Sequence, residues 1–276
     1  MAQEINIMPI GKDLNFAAAE AYRLLRTNLQ FSLPDEQRCR IIGVTSANAG
    51  EGKSTTSINL SYMLAEAGKK VILIEADMRL PTISKRLKVQ MKPGLSNLLA
   101  GLCDTSDVIR LTELQDGLYM VPCGDVPPNP SELLGSRQMG EVVQDLASLV
   151  DYIIFDLPPL NEVSDALVVS QYTDGIVMVV RQNYATRRAV TEAMNQLKSA
   201  NVKVLGFVLT CSDAIKKKYN GKYKYYKKGY GAKYGRRGYG YGYGSHYARS
   251  YAESYAESYA AAAEEAAGRT EESKRD

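Results

Sequence analysis

The stretch Arg40-Ile-Ile-Gly-Val-Thr-Ser-Ala47-Asn48-Ala49-Gly50-Glu51-Gly52-Lys53-Ser54-Thr55 joins an apolar strand pattern to a glycine-rich turn that ends in Lys-Ser. Ala47 to Ser54 matches the phosphate-binding loop, with Ala47 standing where a first glycine is usual. Gly50 and Gly52 let the chain curl until the backbone N–H groups of Ala49, Gly50, Glu51, Gly52, Lys53, Ser54 and Thr55 surround a phosphate. A helix beginning here turns its positive end toward the same anion. Lys53 is expected at the β- and γ-phosphates of ATP, and the Ser54 hydroxyl on Mg2+. A strand before the loop, a helix after it and two acidic motifs downstream separate this reading from a chance glycine-rich turn.

The first acidic motif is Val71-Ile-Leu-Ile-Glu75-Ala-Asp77-Met-Arg79. Residues two apart share a face of an extended chain, so Glu75 and Asp77 are expected side by side at a strand end. The second, Tyr152-Ile-Ile-Phe-Asp156, is an apolar strand closing on an acid, the usual source of an outer-sphere Mg2+ contact. Strands also end in Asp simply because Asp forms turns. The three motifs together give Asp156 its metal role.

Outward from these motifs, apolar runs rich in Ile and Val recur at 40–45, 71–75, 118–122, 152–156, 175–181 and 203–209. No charge interrupts them, as expected for strands buried on both faces. Helical patterns at 54–67, 136–149 and 186–200 lie between them. The expected fold is α/β: a P-loop NTPase with a mostly parallel sheet, helices on both faces, and a flexible tyrosine-rich C-terminal tail. Active groups belong at the carboxyl ends of the strands. The organisation read from the sequence is an N-terminal segment with a helix (1–35), a nucleotide-binding body (36–213) and a tail (214–276).

Composition sharpens the division. Of 276 residues, Lys and Arg number 20 against 24 Asp and Glu up to Asp213, then 14 against 7 beyond it. A body of charge −4 thus carries a tail of charge +7. The four cysteines form no C-x-x-C pair and are read as reduced thiols at or near buried strands, and His246 is the single histidine, which argues against a zinc site or histidine chemistry. The start of the chain has no basic segment leading into an apolar one, and no apolar run approaches the ~20 residues that span a bilayer. The expectation is a cytoplasmic protein whose membrane link comes through a partner.

Of the 19 tyrosines, 13 fall in the tail: Tyr219, Tyr223, Tyr225, Tyr226, Tyr230, Tyr234, Tyr239, Tyr241, Tyr243, Tyr247, Tyr251, Tyr255 and Tyr259. The Gly, Tyr and Lys tract at 216–243 has too few aliphatic residues to fold alone. From Tyr247 the tyrosines recur every four residues, a spacing that fits a short helix with one tyrosine face.

Together these residues resemble the bacterial tyrosine kinases that control capsule and exopolysaccharide assembly, in the stand-alone form found apart from its membrane adaptor. Besides the loop and the two acidic motifs, the resemblance includes Met78-Arg79-Leu80-Pro81, Lys92-Pro-Gly-Leu-Ser-Asn-Leu-Leu-Ala-Gly101, Pro128-Asn-Pro-Ser-Glu-Leu-Leu134 and the tyrosine tail. It implies transfer of the ATP γ-phosphoryl group to tail tyrosines, with Lys53, Glu75, Asp77 and Asp156 catalytic, Ser54, Asp77 and Asp156 serving Mg2+, and Glu75 as the best candidate base. It also implies a membrane-anchored adaptor that activates the kinase, a tyrosine phosphatase and further protein substrates. Glu20-x-x-Arg23-x-x-Arg26 is similar to the helix motif that joins subunits of the family into a ring, and steps of three keep those side chains on one face.

Three departures stand out. Glu75 replaces the usual Asp, Thr210 replaces the Asn that often meets adenine, and Asn48 stands where septum-positioning and partitioning ATPases carry a signature lysine. The Asn48 difference favours a kinase over such a switch, the main alternative. A second alternative takes the Lys and Tyr tract as a nucleic-acid-binding tail, since cations with interleaved aromatics suit backbone pairing and base stacking. Tail phosphotyrosine separates the first alternative from a kinase, and salt-sensitive binding that survives loss of Lys53 would mark the second.

Overall fold

The computed structural model describes residues 9–33 and 38–212. The 13 tail tyrosines therefore lie outside the described residues. A seven-stranded sheet has the order β3-β4-β2-β5-β1-β6-β7, where β1 is Arg40–Ser46, β2 Val71–Glu75, β3 Arg110–Leu111, β4 Leu118–Val121, β5 Tyr152–Asp156, β6 Gly175–Arg181 and β7 Val204–Thr210. Every pairing is parallel except β3 with β4.

Period-two alternation explains how one sheet serves two cores. In β2, Val71 and Leu73 pack on one face and Ile72 and Ile74 on the other. The first face is covered by α1 (Phe16–Ser32), α2 (Lys53–Glu66) and α3 (Ile83–Leu87), which contribute Leu29, Ile58, Leu60, Leu64 and Ile83. The second is covered by the helices that follow, α4 (Leu95–Leu99), α5 (Thr105–Val108), α6 (Pro130–Leu134), α7 (Arg137–Ala147), α8 (Asp165–Ser170) and α9 (Arg187–Ser199). Ser136 and Thr186 begin α7 and α9 as caps, their hydroxyls accepting from Met139 N and Ala189 N.

Sequence and structure part company at the edges. β7 is an outer strand, and Phe207 and Leu209 are 56% and 53% exposed, so the two-faced burial expected of every strand fails there. β3 has two residues, too short to leave a pattern. Cys39 and Cys123 are buried as expected of thiols near strands, whereas Cys211, just past β7, is exposed. Among the described residues no helix is long and apolar enough to cross a membrane.

Helix α1 places Glu20, Arg23 and Arg26 differently from a free face. Arg23 pairs with Glu20 at 2.6 Å and with Glu66 at 3.4 Å, and Arg26 donates to the carbonyl of Met63 at 2.8 Å. Met63 and Glu66 belong to the last turn of α2, where carbonyls lack helical partners and positive charge is stabilising. The two arginines therefore fasten α1 to the carboxyl end of α2 within one chain.

The Lys92 to Gly101 segment turns on Gly94. A Cβ there would collide with the backbone of Gly124 and Pro122, which cannot yield as a side chain can. Gly94→Ala is expected to destabilise the fold by about 1–3 kcal/mol, read as a lower denaturation midpoint, while Gly140→Ala, in helix α7 and meeting only Tyr172 at 3.6 Å, costs less.

Candidate functional site

Three parallel strands deliver the site. In the register of the sheet, Asp156 of β5 lies opposite Val44 of β1 on one side and Glu75 of β2 on the other. The loop leaves β1 two residues past this point and enters helix α2 at Lys53, with Gly50 and Gly52 at φ +78 and +98. Only glycine adopts these angles without strain. Ala47 is fully buried and has no positive φ, which accounts for the missing first glycine.

Lys53 and Ser54 reach the acids directly. Lys53 Nζ donates to Asp77 at 2.6 Å and lies 3.9 Å from Asp156, and Ser54 Oγ donates to Asp156 at 2.7 Å. Ser57, which sequence reading passed over, donates to the other oxygen of Asp156 at 2.9 Å. It sits one helical turn past Lys53 on the same face, a spacing that would have found it. Burial alone would lower the pKa of Lys53, but Asp156 and Asp77 drive it upward, so the ammonium stays charged. Burial raises the pKa of Asp156, and Lys53 and Ser54 only partly oppose it.

Glu75 faces away from Asp77, toward the start of α3. Its carboxylate accepts from the Ser84 hydroxyl and the N–H groups of Ile83, Ser84 and Cys123, and the residue is 0% exposed. β2 ends at Glu75, so the chain is no longer extended at Asp77 and the shared-face argument fails. Asp77 turns to Lys53 and Leu80 N, while Glu75 turns to the start of α3. Burial pushes its pKa up against the pull of Ser84 and Ile83.

The loop itself is gripped from outside. Glu51 folds back, accepting from Asn48 N at 2.8 Å and Arg181 N at 3.3 Å, while Thr210 Oγ1 donates to its carbonyl at 2.7 Å. Glu162 accepts from Ala49 N at 2.8 Å, Tyr184 donates to Ala49 O at 3.1 Å, and Arg181 donates to Gly50 O at 3.0 Å. Arg86 of α3 donates to Thr55 Oγ1 at 3.0 Å. Ala49 N–H, expected on the nucleotide, is thus held by Glu162. The sequence carried no pattern for Glu162, Arg181 or Tyr184, because fold topology alone brings them to the loop.

Fold and site define a P-loop nucleotide-binding protein. A family model described as an AAA domain matches residues 39–205. The chain is 33% identical over 226 residues to tyrosine-protein kinase YwqD of Bacillus subtilis (strain 168), covering 82% of this chain and 92% of that protein. It is 38% identical over 191 residues to tyrosine-protein kinase CpsD of Streptococcus agalactiae, covering 69% and 82%. The kinase domain of Escherichia coli tyrosine kinase ETK superposes with a TM-score of 0.67 at 34% identity, covering 70% and 74%. The chain belongs to the bacterial tyrosine-kinase family. The septum site-determining protein MinD of Pyrococcus horikoshii, solved with Mg-ADP, shares the fold at a TM-score of 0.53 and 28% identity over 62% of this chain and 70% of that one. The kinase reading therefore stands over the septum-positioning alternative.

Removing Lys53 strips the buried acids of their cation. Lys53→Met is expected to lose about 3 kcal/mol of stability at pH 7.5. The sign of the pH effect follows from Asp156, whose raised pKa rises further without Lys53. A folded state that binds protons more tightly than the unfolded one gains stability as pH falls. Denaturant titrations should show the deficit shrinking between pH 7.5 and 5.

Proposed function

We propose that this chain is an ATP-dependent protein-tyrosine autokinase that phosphorylates its own C-terminal tyrosine cluster and, through it, regulates capsule or exopolysaccharide assembly. The observation that carries the reading is the union, in one member of the tyrosine-kinase family, of the Lys53, Asp77 and Asp156 cluster with 13 tail tyrosines. The loop amides and Lys53 bind the phosphates. Ser54 and Asp77 would hold Mg2+ directly or through water and Asp156 through water, and Glu75 is the proposed base for the tyrosine proton.

The residues present fit Mg2+. Hard oxygen donors meet here, and burial leaves Asp156 incompletely compensated by Lys53. When bound, the ion would neutralise charge on the phosphates. Among the described residues no three His, Cys, Asp or Glu side chains form a cage, so phosphate and water would complete its shell. The protein's own part is positional: Ser57 and Ser54 fix both oxygens of Asp156, and Asp77 aims the Lys53 ammonium.

We further propose a ring of subunits in the cytoplasm, recruited to the membrane through an adaptor and reset by a tyrosine phosphatase. The motif implied for assembly faces α2 through Arg23 and Arg26, and Glu20 and Arg23, each 39% exposed on the side chain, are the members best placed to meet a neighbour. Replacing Glu20, Arg23 and Arg26 together by Ala is expected to reduce a ring-sized species to monomer in light scattering and to lower the melting temperature. An unchanged mass would return the motif to a purely internal clasp.

Delivery of the tail is tested by mixing. A Lys53→Met chain with its tail intact should gain tail phosphotyrosine when mixed with an active chain cut after Asp213. A flexible chain of ~60 residues has a reach of roughly 40 Å, enough for either subunit, and a ring holds each tail beside the next site. Mass spectrometry of the mixture reads the outcome directly, and its absence beside a phosphorylated wild type would place transfer within one subunit. A full-length chain with Mg2+ and ATP that never forms phosphotyrosine would remove the autokinase reading.

A further inference from the structure

A basic stretch flanks the site on the side of α3. Residues 79–92 hold five cations and no acid, in a body of charge −4. Three of the five have partners: Arg79 pairs with Asp165 at 2.8 Å, Lys92 pairs with Asp125, and Arg86 donates to Thr55 Oγ1 at 3.0 Å. Lys85 and Lys88 are exposed and form no ion pair among the described residues.

We propose that Lys85 and Lys88 form a docking surface for the acidic end of this chain's own tail, and that the contact makes Tyr251, Tyr255 and Tyr259 the first tyrosines phosphorylated. The proposal deepens the autokinase reading and rests on it. Three observations carry it. The first is the position of α3. Glu75, at the end of β2, accepts from Ile83 N and the Ser84 hydroxyl, while Arg86 reaches Thr55 in the first turn of α2, next to Ser54. The helix is thus tied to the acidic side of the site and to its phosphate-binding side. Lys85 precedes Arg86 and Lys88 caps the helix, so two unpaired charges stand within two residues of the tie to Thr55.

The second observation is the charge along the tail. From Ala214 to Arg249 it carries 11 cations and no acid, whereas from Ser250 to Gly268 it carries four acids and no cation. Ten of the 13 tail tyrosines lie in the basic part, and Tyr251, Tyr255 and Tyr259 lie in the acidic one, each two residues from Glu253 or Glu257. Two residues span about 7 Å along an extended chain, close enough for a tyrosine to enter the site while its acid meets α3. Complementary charge of this kind fixes register and rejects the wrong segment. Although the body as a whole attracts the basic part, these two lysines repel it locally.

The third is reach. The tail leaves β7, four strands from β2 in the sheet, a separation of about 19 Å. Tyr219 follows Ser212 by seven positions, at most about 24 Å of fully extended chain, which leaves little slack for the site of its own subunit. Tyr251 follows by 39 positions, for which a random coil spans roughly 35 Å, enough for α3 of the same subunit or of a neighbour. The transfer itself is the one proposed above: the phenolic oxygen bonds to the γ-phosphorus as ADP leaves, and the phenolic proton passes to the proposed base, Glu75. Docking decides only which phenol arrives.

The test follows the order of modification in the full-length chain with Mg-ATP, by mass spectrometry of each tail tyrosine at short times. Wild type is expected to modify Tyr251, Tyr255 and Tyr259 ahead of Tyr219 to Tyr243. Lys85→Glu with Lys88→Glu is expected to lower the initial rate at those three, relative to the basic part, by about fivefold, and Glu253→Lys with Glu257→Lys to do the same. Combining the two pairs should restore the wild-type order, since the charges again match in the reversed sense, and damage to the fold would not be rescued in this way. An unchanged order in either double variant, or a combined variant no better than its parents, overturns the proposal. So does a lysine double variant that loses affinity for Mg-ADP in calorimetry, because the two lysines would then serve the nucleotide. A wild type that forms no phosphotyrosine at all removes the autokinase reading itself, a result distinct from a phosphorylated wild type whose order ignores these charges.

Discussion

One ammonium group standing against a cluster of buried carboxylates governs this molecule. Lys53 touches Asp77 at 2.6 Å, lies 3.9 Å from Asp156 and feels the field of Glu75, all at the carboxyl ends of adjacent parallel strands. Buried ions of one sign repel strongly in a medium less polarisable than water. The sheet nevertheless imposes this crowding, because register sets Glu75 and Asp156 opposite each other. Two devices relieve it: Lys53 at the loop, and the ring of donors that encloses Glu75 on the α3 side. The remaining surplus of negative charge would favour the divalent cation proposed above.

The same constraint explains the bracing of the loop. Backbone amides that must stay aimed at an anion cannot be left to collapse onto the neighbouring acids. Glu51, Thr210, Arg181 and Tyr184 hold the loop's peptide groups from outside, using bonds that do not involve the amides of Gly52, Lys53 or Ser54. The loop is preorganised by groups contributed from the ends of β6 and β7. Preorganised donors need little rearrangement when charge arrives.

Much of this was legible in the sequence, and the failures share a cause. Apolar runs bounded by turn residues gave β2, β5 and β6 to the residue, since strands buried on both faces admit no polar interruption. Lys53, Ser54, Asp77 and Asp156 meet as their motifs imply because each is tied to an element end. The shared face of Glu75 and Asp77 fails because strand periodicity was extended two residues beyond the end of β2. Arg23 and Arg26 show helical spacing correctly, but spacing does not say which neighbour a face will meet. Glu162, Arg181 and Tyr184 are invisible locally. Their partners lie 113 to 135 residues away in sequence, and only the crossover order of a parallel sheet brings them together.

Charge also bears on how the proposed reaction would end. The body carries 20 cations against 24 acids and the tail 14 against 7, so attraction favours the tail's approach to an acidic site. At physiological salt this attraction fades beyond about 8 Å, too short to gather a tail from solution. Proximity within the proposed assembly would therefore supply the encounter, with charge acting only in the last ångströms. Each phosphate adds roughly −1.5 to −2, so about four or five modified tyrosines cancel the tail's surplus. Beyond that point the tail and the site repel. A tail of many tyrosines thus makes release a graded function of the number modified, which a single acceptor could not do.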